Sequence, residues 1–131
     1  MRVAILDDTH RAYEETPSVR RLRDRVEVKI FFGPFGEPSA LGGFDAVVAN
    51  RERTRFSRAL MEQLPDLRII AQTGAHAYHI DLDAAEERRI IVAKATGDGR
   101  TRQYRSRAPV RIHCQSPDAA VAGRARSTVG R

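Results

Sequence analysis

The sequence has a single cysteine, Cys114, no tryptophan, and only 6% aromatic residues over a length of 131. One cysteine excludes an internal disulfide and any cysteine-rich zinc site. No apolar run approaches the roughly 20 residues that a membrane-spanning helix needs. The opening stretch MRVAILDD turns acidic after four apolar residues and lacks the shape of a signal peptide. A soluble, cytoplasmic protein is the resulting expectation. The hydrophobic share of 41% is ordinary for a globular chain, and the length suits one domain with a real core rather than two.

Net positive charge is missing from most of the chain despite a total of +6. Residues 1–93 hold 14 Lys/Arg against 15 Asp/Glu, whereas residues 94–131 hold 9 against 2. The body therefore carries no basic footprint, and a nucleic-acid partner, which such a footprint would signal, is not expected from it. A salt-sensitive role for the tail is the one form in which that class survives.

What is present along the first 93 residues is an alternation of strand and helix signals. Strands are predicted at Val3–Leu6, Val26–Phe32, Asp45–Ala49, Leu67–Ala71 and Ile90–Ala93. Thr16-Pro17 reads as a helix cap and first helical residue, with Val19, Leu22 and Val26 at helical spacing. Residues 37–42 suggest one helical turn. Ser57 can cap a helix with Leu60, Met61 and Leu64 inward, stopped by Pro65, and a further helix is predicted over 82–88. Short apolar strands such as AVVA, joined through helices, imply right-handed crossovers and a parallel sheet with helices on both faces. In such sheets ligands sit beyond the carboxyl ends of the strands, here Asp7–Thr9, Asn50–Thr54, Gln72–His79 and Lys94–Gly97.

Several residues at those ends could carry chemistry. His76 and His79 lie three apart with Asp81 and Asp83 behind them, but a metal site needs a third ligand and usually a fourth. Asp81 is better placed to cap the helix LDAAEER, with Asp83 in its first turn. Metal binding is therefore not expected, and the histidines read as polar loop residues. Asp7 and Asp8, with Thr73 and Lys94, resemble the acids, threonine and lysine of a response-regulator receiver domain. The acceptor aspartate of that family is absent, because strand three ends in Asn50-Arg51. A degenerate receiver remains the alternative reading.

The stretch FDAVVANRERTRFSRALMEQLPDLRIIAQTGAHAYHIDLDAAEERRIIV is similar to another family over about residues 1–95. It resembles the D-isomer-specific 2-hydroxyacid dehydrogenases (the phosphoglycerate and glyoxylate dehydrogenase group), in the N-terminal part of their substrate domain. The shared order is a strand, an Arg-x-Arg-Thr turn, a helix ending near Pro, an apolar strand, a Gly-containing loop and Ile-Asp-Leu-x-Ala-Ala. The resemblance implies a flavodoxin-like α/β fold over residues 1–96 and an oxidoreductase acting on a small 2-hydroxy or 2-keto acid with NAD or NADP. It also implies that Arg51 reaches the substrate carboxylate and that the backbone of Gly74, Ala75 and His76 binds it. Family members are commonly homodimeric. His76 stands where many members have Gly, His79 where many have Asn, and Arg89 and Ile91 replace the common Gly and Pro of ERGIPV, which removes the usual helix terminator.

The family's hydride transfer also needs a dinucleotide domain and an Arg, a Glu and a His from it. No G-x-G-x-x-G follows a strand in these 131 residues; Gly97-Asp98-Gly99-Arg100 lacks the final Gly, and His113 sits outside any family pattern. The chain therefore reads as part of a dehydrogenase, inactive alone, binding its acid weakly and no cofactor, so that whether it is itself an enzyme stays open. Residues 97–131 are expected to be mostly disordered and basic. Their Arg, Ala, Gly, Pro and Ser bias suggests GC-rich DNA read out of frame. The other two frames should then show a helix, a strand and G-x-G-x-x-G, and their absence would leave the tail to be explained as a selected arm.

Overall fold

A computed structural model describes residues 1–95 and the backbone of Thr101–Gln103; the remaining residues, which hold most of the expected tail, lie outside the described part. The strands are β1 (Arg2–Ile5), β2 (Glu27–Ile30), β3 (Ala46–Ala49), β4 (Ile69–Gln72), β5 (Ile91–Ala95) and β6 (Thr101–Gln103). They form one sheet in the order β2-β1-β3-β4-β5-β6. All pairs are parallel except β5–β6. The first five strands thus have flavodoxin-like topology, and β6 adds an antiparallel edge within the stretch that the sequence assigned to the tail.

Three helices connect them: α1 (Pro17–Arg23), α2 (Arg58–Glu62) and α3 (Leu82–Glu87), with a 3-10 turn at Pro38–Leu41. Each helix starts where a side chain takes up a free amide at its first turn. Thr16 Oγ1 accepts from the Val19 N–H at 3.3 Å, Ser57 Oγ from Leu60 at 3.2 Å, and Asp81 Oδ1 from Ala84 at 2.9 Å. Because the chain moves one way from β1 to β2 and the other way from β3 to β5, right-handed crossovers put α1 on one face and α2 and α3 on the other.

The register sorts the side chains into two faces. Ala4, Val47, Ile70 and Val92 lie side by side and are buried in the main core with Leu41, Phe44, Phe56, Met61, Leu64 and Ala84. The opposite face carries Val3, Ile5 and Ala46, all buried, then Val48, Ile69, Ala71 and Ile91, which are only half-buried. One seven-residue helix is too short to cover five strands, so among the described residues this face is fully buried over β1 and only partly over β3 to β5, where Ala46 and Ala93 are its buried residues.

The end of α3 answers the missing glycine of the sequence pattern. Arg89 takes a left-handed conformation, φ 57°. Its N–H donates to the Glu86 carbonyl at 2.9 Å and that of Ile90 to Ala85 at 2.7 Å, the paired bonds of a Schellman terminator. The turn is kept, with an arginine where a Cβ costs about 1 kcal/mol or more. Arg89→Gly is therefore expected to stabilise the fold by about 0.5–1 kcal/mol, read as a higher urea midpoint at unchanged slope.

Candidate functional site

The carboxyl ends of β1, β3 and β4 are tied together by side chains, and Asp7 is their hub. Asp7 sits at φ 55° and is buried. Its Oδ2 accepts from Thr54 Oγ1 at 2.6 Å, and its carbonyl accepts from Asn50 Nδ2 at 3.0 Å and an Arg53 guanidinium N–H at 2.9 Å. Arg53 also donates to Thr9 Oγ1 at 2.6 Å. Asp8 receives the backbone N–H groups of Ala12 and Tyr13 at 2.7 and 3.0 Å. Both acids thus organise the chain leaving β1, which is different work from holding a cation. Among the described residues no group of three or more His, Cys, Asp or Glu is arranged for a metal ion.

These bonds divide labour within the Arg51-Glu52-Arg53-Thr54 turn. Arg53 and Thr54 anchor it to β1. Arg51 is left exposed, and no partner for its guanidinium is found among the described residues. Its backbone is held at φ 55°, with the N–H donating to Thr73 Oγ1 at 3.0 Å, so the turn after β3 is fixed to the end of β4.

Between the turn and the β4 exit lies a surface pocket of about 300 Å³ lined by Arg51, Glu52, Thr73, Gly74, Ala75, His76 and Ala95. The four residues singled out by sequence, Arg51, Gly74, Ala75 and His76, are therefore brought to one place. Its chemistry is mixed: a free guanidinium suits an anion through paired donors, while the Glu52 carboxylate opposes one. The two histidines part ways. His76 is exposed on the pocket, whereas His79 is 8% exposed and turned inward, its Nε2 3.2 Å from Gln72 Oε1.

Three residues that position this site were not singled out from sequence. Phe56, fully buried, forms a parallel bridge with Ile80, accepts the Asp81 N–H at 2.9 Å and donates to the His79 carbonyl at 3.0 Å. It pins the far end of the loop that begins at Thr73. Thr54 locks the turn through Asp7, and Gln72 stands behind Gly74. The only signal for Phe56 was a single apolar residue between Arg55 and Ser57 in a polar stretch, which has no distinctive period.

Burial lowers the His79 pKa below the ordinary 6.5, against a smaller upward pull from Glu52. The unfolded chain then binds more protons than the folded one below about pH 6.5, so stability falls as pH drops from there toward the depressed folded value and is fully present above it. His79→Asn should flatten this part of a plot of urea midpoint against pH. A wild-type plot that is already flat between pH 6.5 and 5 would count against the buried neutral imidazole.

A nicotinamide dinucleotide finds no cradle among the described residues. Helices after the strands run 5 to 7 residues, and each has a first-turn amide already taken by Thr16, Ser57 or Asp81, leaving no glycine-rich helix start for a pyrophosphate.

A doubly wound α/β domain with a pocket of mixed charge at its strand ends is thus the class that geometry defines. The model of the D-isomer specific 2-hydroxyacid dehydrogenase catalytic domain matches residues 3–101, and the chain belongs to that family. It is 45% identical over 47 residues to the (S)-sulfolactate dehydrogenase of Chromohalobacter salexigens, a match spanning 36% of this chain and 15% of that protein. Among solved structures, an oxidoreductase from Ralstonia solanacearum aligns with TM-score 0.67 at 35% identity over 73% of this chain and 30% of its own. A phosphoglycerate oxidoreductase from Vibrio cholerae aligns with TM-score 0.67 at 30% identity over 74% and 32%. The chain thus spans about a third of the length of the solved relatives. No helix among the described residues is long and apolar enough to cross a membrane.

Proposed function

We propose that residues 1–96 form the substrate-binding portion of an NAD(P)-dependent D-2-hydroxyacid dehydrogenase and that the pocket takes the carboxylate of a small 2-hydroxy or 2-keto acid. The single observation behind this reading is the meeting of Arg51, whose guanidinium has no partner among the described residues, with the Gly74–His76 loop across one pocket. The guanidinium would grip the carboxylate from one side and the backbone N–H groups of Gly74 and Ala75, at a strand exit, from the other. Glu52 would disfavour a second anion on its own flank. The dinucleotide and the groups that move hydride and proton would come from outside the described residues.

The test is binding rather than turnover. In a 15N-labelled chain, D-glycerate, D-lactate and (S)-sulfolactate should shift the Gly74 and Ala75 amide resonances. Arg51→Ala should weaken the binding about tenfold, as expected for a charge-assisted pair of about 1.5 kcal/mol, and Arg51→Lys should recover part of it because an ammonium lacks the bidentate fork. Resonances that ignore all three acids would sink the assignment. A degenerate receiver is not favoured, because Asp7 and Asp8 are both engaged in bonds to Thr54 and the backbone.

A further inference from the structure

Two buried polar atoms behind the pocket have no hydrogen-bond partner among the described residues: Gln72 Nε2 and His79 Nδ1. Unsatisfied groups of this kind are uncommon and call for a reason. Gln72 is the last residue of β4 and is 2% exposed; His79 closes the loop that Gln72 opens and is 8% exposed. Their side chains meet across the base of that loop at 3.2 Å.

The position of Gly74 shows where the free end of the amide points. A Cβ at residue 74 would lie 2.9 Å from Gln72 Nε2, 3.5 Å from Glu52 Oε1 and 3.8 Å from the Arg51 Cα. Gly74 does not adopt a positive φ. Its missing side chain is therefore a matter of room: the glutamine amide packs directly against the pocket loop. Since burial keeps His79 neutral at pH 7, the imidazole carries one proton, and its tautomer decides which edge of the amide faces Gly74. With the proton on Nε2, His79 donates to Oε1 and the NH2 edge is turned to the loop. With the proton on Nδ1, the amide flips and presents its carbonyl instead. Only the first arrangement places the positive edge of the amide dipole under an anion.

We propose that Gln72 and His79 are a positioning pair for the pocket: the hydrogen bond between them turns the Gln72 donor edge against Gly74 and holds the Gly74 and Ala75 N–H groups ready for a carboxylate. The inference rests on the carboxylate reading given above. Neither residue touches the ligand; both act through the loop that they bracket. Because the pair spans Gln72 to His79, it sets the base width of the loop while Tyr78, 77% exposed, and Ala75 stay at the surface.

The experiment uses the whole 131-residue chain, 15N-labelled, with sodium D-glycerate as the probe. Gln72→Met keeps the volume and removes the hydrogen bond. It should raise the dissociation constant about tenfold, the size of one such bond, and move the Gly74 and Ala75 resonances while those of Val47 and Ile70 stay in place. His79→Leu should do the same, and His79→Gln, which restores a donor, should recover most of the affinity. The imidazole 15N pattern of His79 should show one neutral tautomer with the proton on Nε2. Glycerate binding in Gln72→Met as tight as in the unsubstituted chain, or a proton on Nδ1, overturns the pair while leaving the carboxylate site standing. If His79→Leu and Gln72→Met both fail to fold, His79→Gln and the tautomer decide. No titration in the unsubstituted chain overturns the carboxylate site, and the pair falls with it.

Discussion

Phe56→Ala is expected to lower folding stability by about 3–5 kcal/mol, the usual range for removing a buried phenyl ring and leaving its cavity. Set against the roughly 5–15 kcal/mol that holds a domain together, this is a fifth of the total or more. Phe56 is fully buried, belongs to the main core with Met61, Ile80 and Ala84, and also carries the bridge to Ile80. The ring and the backbone therefore act on the same place, and the loss should be felt first in the loop that ends at His79. Urea denaturation followed by far-UV circular dichroism measures the cost. A midpoint within error of the unsubstituted chain would show that Phe56 is not where the core is described.

The second large effect concerns turnover. Purified chain supplied with NAD⁺ or NADP⁺ and glycerate, lactate or phosphoglycerate should give no reduced nucleotide above the uncatalysed background. Holding two reactants in a reactive geometry accounts for about 7–11 kcal/mol of a catalysed barrier, and each 1.36 kcal/mol is a factor of ten. On the reading proposed above, the described residues position the acid alone. A loss of at least about five powers of ten relative to a complete dehydrogenase follows from positioning alone, before any proton transfer is counted. Steady formation of NADH or NADPH, removed by Arg51→Ala, would refute this and require a cofactor site outside the described residues.

The parts of the structure that were legible in the sequence are those fixed by neighbours along the chain. Thr16, Ser57 and Asp81 cap their helices as expected because a cap is a bond across three residues. Strand positions followed from apolar runs, though each shifted by a residue or more; β2 shrinks to Glu27–Ile30 because it lies at the sheet edge, with one side of its ladder open. The usual glycine terminator is absent, as the sequence shows, yet the turn survives: the paired bonds to Ala85 and Glu86 together with burial of Ile90 hold the left-handed conformation at Arg89. Illegible were contacts made only after the sheet assembles. Asp7 reaches Thr54 across 47 residues, and nothing local to either residue announces it. The same holds for Gln72, whose polar side chain at the end of an apolar strand gave no hint of His79. The candidate site residues came from the family pattern, while the bonds that place them could not be read from it.

One consequence of the strand order bears on how this chain is made. β1 lies between β2 and β3, and its partner on the second side, Ala46 opposite Val3, is 43 residues downstream. At roughly 5–20 residues per second of synthesis, β1 leaves the ribosome seconds ahead of β3 and waits that long with one edge unpaired. During that interval Val3, Ala4 and Ile5 form an aliphatic template open to any extended segment nearby, the situation that edge-to-edge aggregation exploits. The acids that follow at Asp7 and Asp8 put two negative charges at the end of that strand before its neighbour exists. Charges flanking an apolar strand disfavour such pairing, and Asp7 and Asp8 stand at that position as well as organising the finished strand end.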